Sequence, residues 1–176
     1  MKLSRIKTGV TLALLLFISL NPALAEKTIG QSVAKIGNVA PDFTLPEISN
    51  SARTQLAKLH GQVVLIDFWA SWCGPCKQTM GHLKQLKVGY PQVLILAVSA
   101  DEEIQNAARF VKQYGFEGLT PLYDTGHQVA SQFGIEGMPS AILIDRKGVV
   151  RFRHDGYTVR DMPKIESELK RLLEEK

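Results

Sequence analysis

Cysteine is scarce in this chain: Cys73 and Cys76 are the only two among 176 residues. Thiol chemistry is therefore confined to one place, and no second pair exists for an internal relay. A zinc site built on a Cys-x-x-Cys needs a further ligand pair at short spacing. There is no third cysteine, and the histidines (His60, His82, His127, His154) stand singly. A glycine-rich fingerprint for a nicotinamide or flavin is also missing, so neither a metal nor a bound cofactor is expected. Repeats and low-complexity tracts are absent. The apolar segment Val10 to Leu20 falls short of the ~20 residues that cross a bilayer comfortably.

That segment has another use. Lys2, Arg5 and Lys7 precede it and Ala23-Leu24-Ala25 follows it, which is the order of a secretory signal peptide with its cleavage site. An uncleaved anchor is the alternative; without a cysteine after the apolar segment, lipoprotein processing is excluded. Cleavage after Ala25 lowers the formal charge from +4 to +1, because three of the 21 basic residues leave and all 17 acidic ones stay. The remaining balance does not point to nucleic acid. The expected organisation is a signal peptide (1–25), a loose lead-in (26–36) and one domain (37–176), long and apolar enough for a single core. Export also bears on the cysteines. An oxidising compartment closes thiol pairs, so a reducing dithiol there draws electrons from a partner, expected at the membrane.

The informative stretch is Val63 to Lys77. An apolar run of strand length, interrupted only by Asp67, meets Cys73-Gly74-Pro75-Cys76 where a helix should begin. A run without polar alternation suits a strand covered on both faces. A disulfide staple is the plain alternative for the cysteines. Closing a loop of about four residues stabilises by only ~2 kcal/mol, however, against nearly 5 for a loop of ~100. With Pro75 in the first helical turn, Cys73 lies at a helix N-terminus, where amide groups and the dipole favour a thiolate. Such a sulfur also departs faster as a leaving group. Cys73 is thus the candidate for attack on a substrate disulfide, and Cys76 for resolution of the mixed disulfide. Asp67 is costly in an apolar strand unless paired or raised in pKa. A raised pKa suits a general base acting on Cys76; a position at a wet strand edge is the alternative.

Asp67-Phe68-Trp69-Ala70-Ser71-Trp72-Cys73-Gly74-Pro75-Cys76-Lys77 resembles the thioredoxin active-site signature, and Gly137-Met138-Pro139 resembles that family's cis-proline loop. The length and the Ala40-Pro41-Asp42-Phe43-Thr44-Leu45-Pro46 opening are similar to the exported TlpA/ResA/CcmG-type branch. The resemblance implies an α/β, thioredoxin-like fold: a central mixed β-sheet flanked by α-helices. It implies catalytic roles for Cys73, Cys76, Asp67 and Pro139, and substrate-binding roles for Trp72, Gly74, Pro75 and Met138. A cis bond costs only ~0.5–1 kcal/mol at X–Pro, and a proline there leaves the Met138 backbone free to pair with an extended client. Three departures stand out. Position 79 is threonine where that branch often has glutamate, position 81 is glycine where thioredoxins usually have proline, and Ser140 stands where the CcmG-type pattern has glutamate. The second buried strand also lacks the lysine that accompanies the buried acid in cytoplasmic thioredoxins.

Along the rest of the chain, Phe43 to Leu45 reads as a short extended piece and Leu56 to Leu59 as one helical turn. A helix from the second cysteine places Met80, Leu83 and Leu86 in the core and ends near Gly89. Val93 to Val98 is a second buried strand, parallel to the first. Asp101 is expected to cap the next helix, with Ile104, Ala107, Ala108 and Val111 as its inner face. Pro121 to Tyr123 reads as a strand and His127 to Phe133 as a short helix. Ala141 to Asp145 and Val149 to Arg153 form a hairpin around Gly148, and a terminal helix starts at Pro163 with Ile165, Leu169, Leu172 and Leu173 facing the sheet. The functional expectation is an exported thiol-disulfide oxidoreductase, a reductant of protein disulfides acting as a monomer. Cytochrome c maturation and general disulfide reduction are both open to it. A redox-regulated chaperone and a thiol peroxidase are the alternatives, the latter opposed by Ile66 and Ala70 where its motif needs proline and threonine.

Overall fold

A computed structural model describes residues 33–175. The expected signal peptide, most of the lead-in and residue 176 lie outside the described residues. In chain order the elements are β1 (Thr44–Pro46), β2 (Arg53–Gln55), β3 (Val64–Trp69), α1 (Gly74–Gly89), β4 (Leu94–Ser99), α2 (Ile104–Tyr114), β5 (Thr120–Tyr123), α3 (Gln128–Gln132), β6 (Ser140–Ile144), β7 (Val150–Asp155) and α4 (Met162–Glu174). Single 3-10 turns fill Leu56–Leu59, Thr125–His127 and Val159–Asp161.

Every residue of β3 is buried, as an apolar run without alternation requires. The main sheet runs β5-β4-β3-β6-β7. Its central strand, β3, pairs parallel with β4 and antiparallel with β6. Val63, Leu65 and Trp69 enter one core with Met80, Leu83 and Leu86 of α1, Phe110 of α2, and Ile165 and Leu169 of α4. Val64, Ile66 and Phe68 enter a second core with Phe43, Leu45, Val129 and Phe133. This is the mixed, helix-flanked sheet of a thioredoxin-like fold. Packing reaches back to Ala34, which is 1% exposed.

Several local expectations shift. Arg53–Gln55 forms a strand, β2, antiparallel to β1, between the expected extended piece and the expected helical turn. In α2 the inner face centres on Ala107 and Phe110, while Ala108 is exposed. Asp101 does not cap α2. Its N-cap is Glu103, which makes no side-chain cap bond, because the Asp101 carboxylate is taken by donors described below. In α4 Leu173 is only partly buried, packed against the first core.

Trp69 joins the end of β3 to α2. Its indole lies 4.8 Å from the Phe110 ring and 5.1 Å from Phe116, and Phe110 lies 4.4 Å from Tyr114. Aromatic pairs at such distances add about 0.5–1.5 kcal/mol beyond their buried area. Phe110→Ala should therefore destabilise the oxidised protein by about 3–5 kcal/mol in urea unfolding. A loss under ~1 kcal/mol would mean that the cluster can close around the gap.

Candidate active site

The turn between β3 and α1 is held from beneath. Asp101, 1% exposed, accepts from the Ser71 amide at 3.1 and 3.2 Å, the Ser71 hydroxyl at 2.6 Å and the Ser99 hydroxyl at 2.8 Å. Three donor groups satisfy a buried carboxylate that a helix cap would have left half-paired. The Cys73 amide then donates to Ala70 O at 3.1 Å. Cys73 becomes the N-cap of α1, with Pro75 in the first turn and the Cys76 amide donating to Cys73 Sγ at 3.2 Å. The sulfur thus occupies the place where a capping oxygen usually sits, at the positive end of the helix dipole.

Cys73 and Cys76 are joined as a disulfide, with an S–S distance of 1.98 Å. The two sides of the bond differ in access. Cys76 has no exposed surface and Cys73 keeps 4%, so an incoming thiol has one sulfur to reach and must come close to do so. Trp72, 67% exposed beside it, and Gly74 form the surround. No cluster of histidine, cysteine or carboxylate side chains suited to a metal occurs among the described residues.

Asp67 is completely buried, not at a wet edge. Its strand neighbours in register are Ala97 and Ala141. Oδ1 accepts from the Tyr157 hydroxyl at 2.7 Å, and Oδ2 has no partner among the described residues. Burial pushes the carboxyl up to about 7, only partly offset by the Tyr157 hydrogen bond. The phenol is driven well above its ordinary value by burial first and then by the neighbouring Asp67 charge, so it remains a donor. Thr79, also fully buried, donates its hydroxyl to Cys76 O at 3.2 Å. Tyr157 was not a sequence candidate, since its partner lies 90 positions away. The missing β4 lysine was the available hint that the acid must be held by something else.

The opposite wall is the loop before β6. The Met138-Pro139 bond is cis, and Pro139 O accepts from the Tyr157 amide at 3.1 Å. Among the described residues, Met138 takes part in no loop or turn backbone bond. The Ser140 hydroxyl stands 2.6 Å from Gly137 O and 2.7 Å from Asp155 Oδ1. Arg153 in turn grips Asp155 through Nε at 2.6 Å and also donates to the carbonyls of Phe133 and Gly134. A groove of about 270 Å³ runs along this wall, lined by Phe68, Trp72, Ile135, Gly137 and Met138. Trp72 and Met138 thus line one groove, Trp72 adjoins Cys73 in the chain, and Cys76 and Asp67 are both fully buried.

The Redoxin family model matches residues 35–173. The thiol-disulfide oxidoreductase ResA of Halalkalibacterium halodurans is 33% identical over 128 residues, 72% of each chain. The ResA of Geobacillus thermodenitrificans is 29% identical over 153 residues, covering 85% of this chain and 87% of its own. A solved structure assigned as a thiol:disulfide interchange protein DsbE from Chlorobium tepidum superposes with a TM-score of 0.75 at 35% identity. It covers 79% of this chain and 98% of its own.

The buried acid has a consequence for stability. Its folded pKa, about 7, lies above the ordinary 3.8, so its favourable contribution is complete below the ordinary value and is lost as pH rises through about 7. Each pKa unit corresponds to ~1.4 kcal/mol, which sets the full penalty of ionisation on the order of 4 kcal/mol. Between about pH 5 and 8.5 the oxidised protein should lose about 2–3 kcal/mol more in urea unfolding than an Asp67→Asn variant does. Parallel pH profiles for the two proteins would contradict the assignment.

Proposed function

The chain belongs to the Redoxin family and is a thiol-disulfide oxidoreductase, and we propose that it runs as an exported reductant of protein disulfides. The observation that carries this reading is the Cys73 sulfur on the N-terminus of α1, 3.2 Å from the Cys76 amide. In the reduced protein that amide and the helix dipole stabilise a Cys73 thiolate. Cys73 attacks the client disulfide, one client sulfur leaves as thiolate, and a mixed disulfide forms. Cys76, its proton passing to Asp67, then attacks Cys73, expelling the second client sulfur and closing the protein disulfide. Atoms balance: one dithiol is oxidised as one client disulfide becomes two thiols.

Trp72, Gly74, Pro75 and the Met138 backbone form the surface a client chain meets, and Pro139 fixes the loop. The Met138 backbone, which takes part in no loop or turn bond among the described residues, supports pairing with an extended segment. Re-reduction needs an electron donor, and the basic, apolar N-terminal segment followed by Ala23-Leu24-Ala25 favours an extracytoplasmic setting with that donor in the membrane. Among the described residues no helix is long and apolar enough to cross a membrane. We take the working form to be a monomer. Clients in cytochrome c maturation and a broader set of exported proteins both fit this chemistry.

Two measurements test the proposal. A Cys76→Ser variant should accumulate a client joined to Cys73 through a bond that dithiothreitol releases, whereas Cys73→Ser should accumulate none. Equilibration with glutathione should place the potential near −250 mV, in the range of reducing dithiols. A value above about −150 mV would make the protein an oxidant instead.

A further inference from the structure

The disulfide chemistry accounts for Cys73, Cys76 and an acid behind them, but not for the tyrosine that holds the acid. Tyr157 is fully buried and comes from the segment after β7. Its amide binds Pro139 O at 3.1 Å while its hydroxyl binds Asp67 Oδ1 at 2.7 Å. One residue therefore links the client-facing loop to the buried carboxyl. Resting on the reading of Cys76 as the resolving thiol, we propose that Tyr157 is the positioning residue of Asp67: by holding Oδ1 it fixes the carboxyl and leaves Oδ2 as the acceptor for the Cys76 proton.

Among the described residues, Tyr157 is the one hydrogen-bond donor to the Asp67 carboxyl. β4 and β6 present alanines, Ala97 and Ala141, beside Asp67. From α1, the Thr79 hydroxyl stands 3.2 Å from Cys76 O and also reaches the Tyr157 hydroxyl rather than the carboxyl. His154 of β7 has its ring 6.5 Å from that of Tyr157, and its Nε2 is 3.9 Å from Asp161. Lys164 of α4 lies over the Phe152 ring at 5.7 Å. The influences on Asp67 reduce to burial and the phenol, and they act in opposite directions. A hydrogen bond to the ionised carboxyl favours that form, so the phenol brings the acid down toward neutrality from where burial alone would leave it. In the resolving step the Cys76 S–H bond breaks and its proton goes to Oδ2. The Cys76–Cys73 bond forms, the bond from Cys73 to the client breaks, and the client sulfur leaves with the electron pair. Asp67 returns its proton to solvent before the next cycle.

The test follows the resolving phase of single-turnover oxidation of the reduced, full-length protein by glutathione disulfide, as a function of pH. Tyr157→Phe keeps the ring and should move the midpoint of that phase upward by about one to two pH units, the size expected when one hydrogen bond to a buried carboxylate is removed. In an Asp67→Asn background the same substitution should leave the rate unchanged. Uniform replacement of tyrosine by 3-fluorotyrosine, a stronger donor of nearly the same size, should move the midpoint down, and this arm stands even where Tyr157→Phe does not fold. An unshifted midpoint, or an equal slowing in both backgrounds, would overturn the positioning role alone. A wild-type protein that fails to reduce glutathione disulfide would overturn the oxidoreductase reading together with it.

Discussion

A carboxyl sealed in the middle of the central strand, with a single phenol for company, is the constraint on which the site depends. Asp67 sits between two alanines of its neighbouring strands, is completely buried and meets the Tyr157 hydroxyl. Among the described residues no cation acts on a charge there to offset its desolvation. The outcome is an acid whose protonation changes near neutral pH, in a fold where the Cys76 sulfur is equally without exposed surface. A proton acceptor for Cys76 could be placed in water at no cost to the fold, but water would then reach the mixed disulfide. Burial lowers stability at alkaline pH and, in the proposed mechanism, keeps the reacting pair dry.

The turn that carries the disulfide and the cis-proline loop are each fixed by an aspartate drawn from a neighbouring strand or its end. Asp101 follows β4 and ties the turn before Cys73 through Ser71. Asp155 ends β7 and, with Arg153, ties the cis-proline loop through Ser140 and the Phe133 and Gly134 carbonyls. Charge-assisted bonds of this kind are short and directional, which suits groups that must hold a sulfur and a client backbone in fixed relation. Neither aspartate touches the reacting atoms. Their contribution is geometric, and it explains why the site residues themselves need few bonds of their own.

The sequence was most legible where chemistry and structure are local. The apolar run before Cys73, the proline in the first turn of α1, and Met80, Leu83 and Leu86 along its inner face all follow from neighbours in the chain. So does the hairpin at Gly148, whose φ of 80° no side-chain-bearing residue adopts easily. What stayed hidden depends on partners far apart. Asp101 looks like a helix cap because a cap needs only residues one turn away, yet two of its three donors come from Ser71, 30 positions earlier. Arg146 reads as part of a turn, but its guanidinium donates to the Leu172 and Glu175 carbonyls and so finishes α4. Tyr157 is the extreme case: in Asp155-Gly156-Tyr157 nothing local distinguishes a surface aromatic from the donor to the central acid.

The account can be tested most directly on the carboxyl itself, without turnover. In the oxidised protein, the Asp67 carboxyl is identified by infrared or carbon-13 NMR difference against Asp67→Asn and followed through a pH titration. The account predicts a midpoint near 7, the value to which burial lifts this group. A midpoint below about 5, close to an ordinary aspartate, would show that water or a cation reaches the carboxyl and would contradict the role given to it.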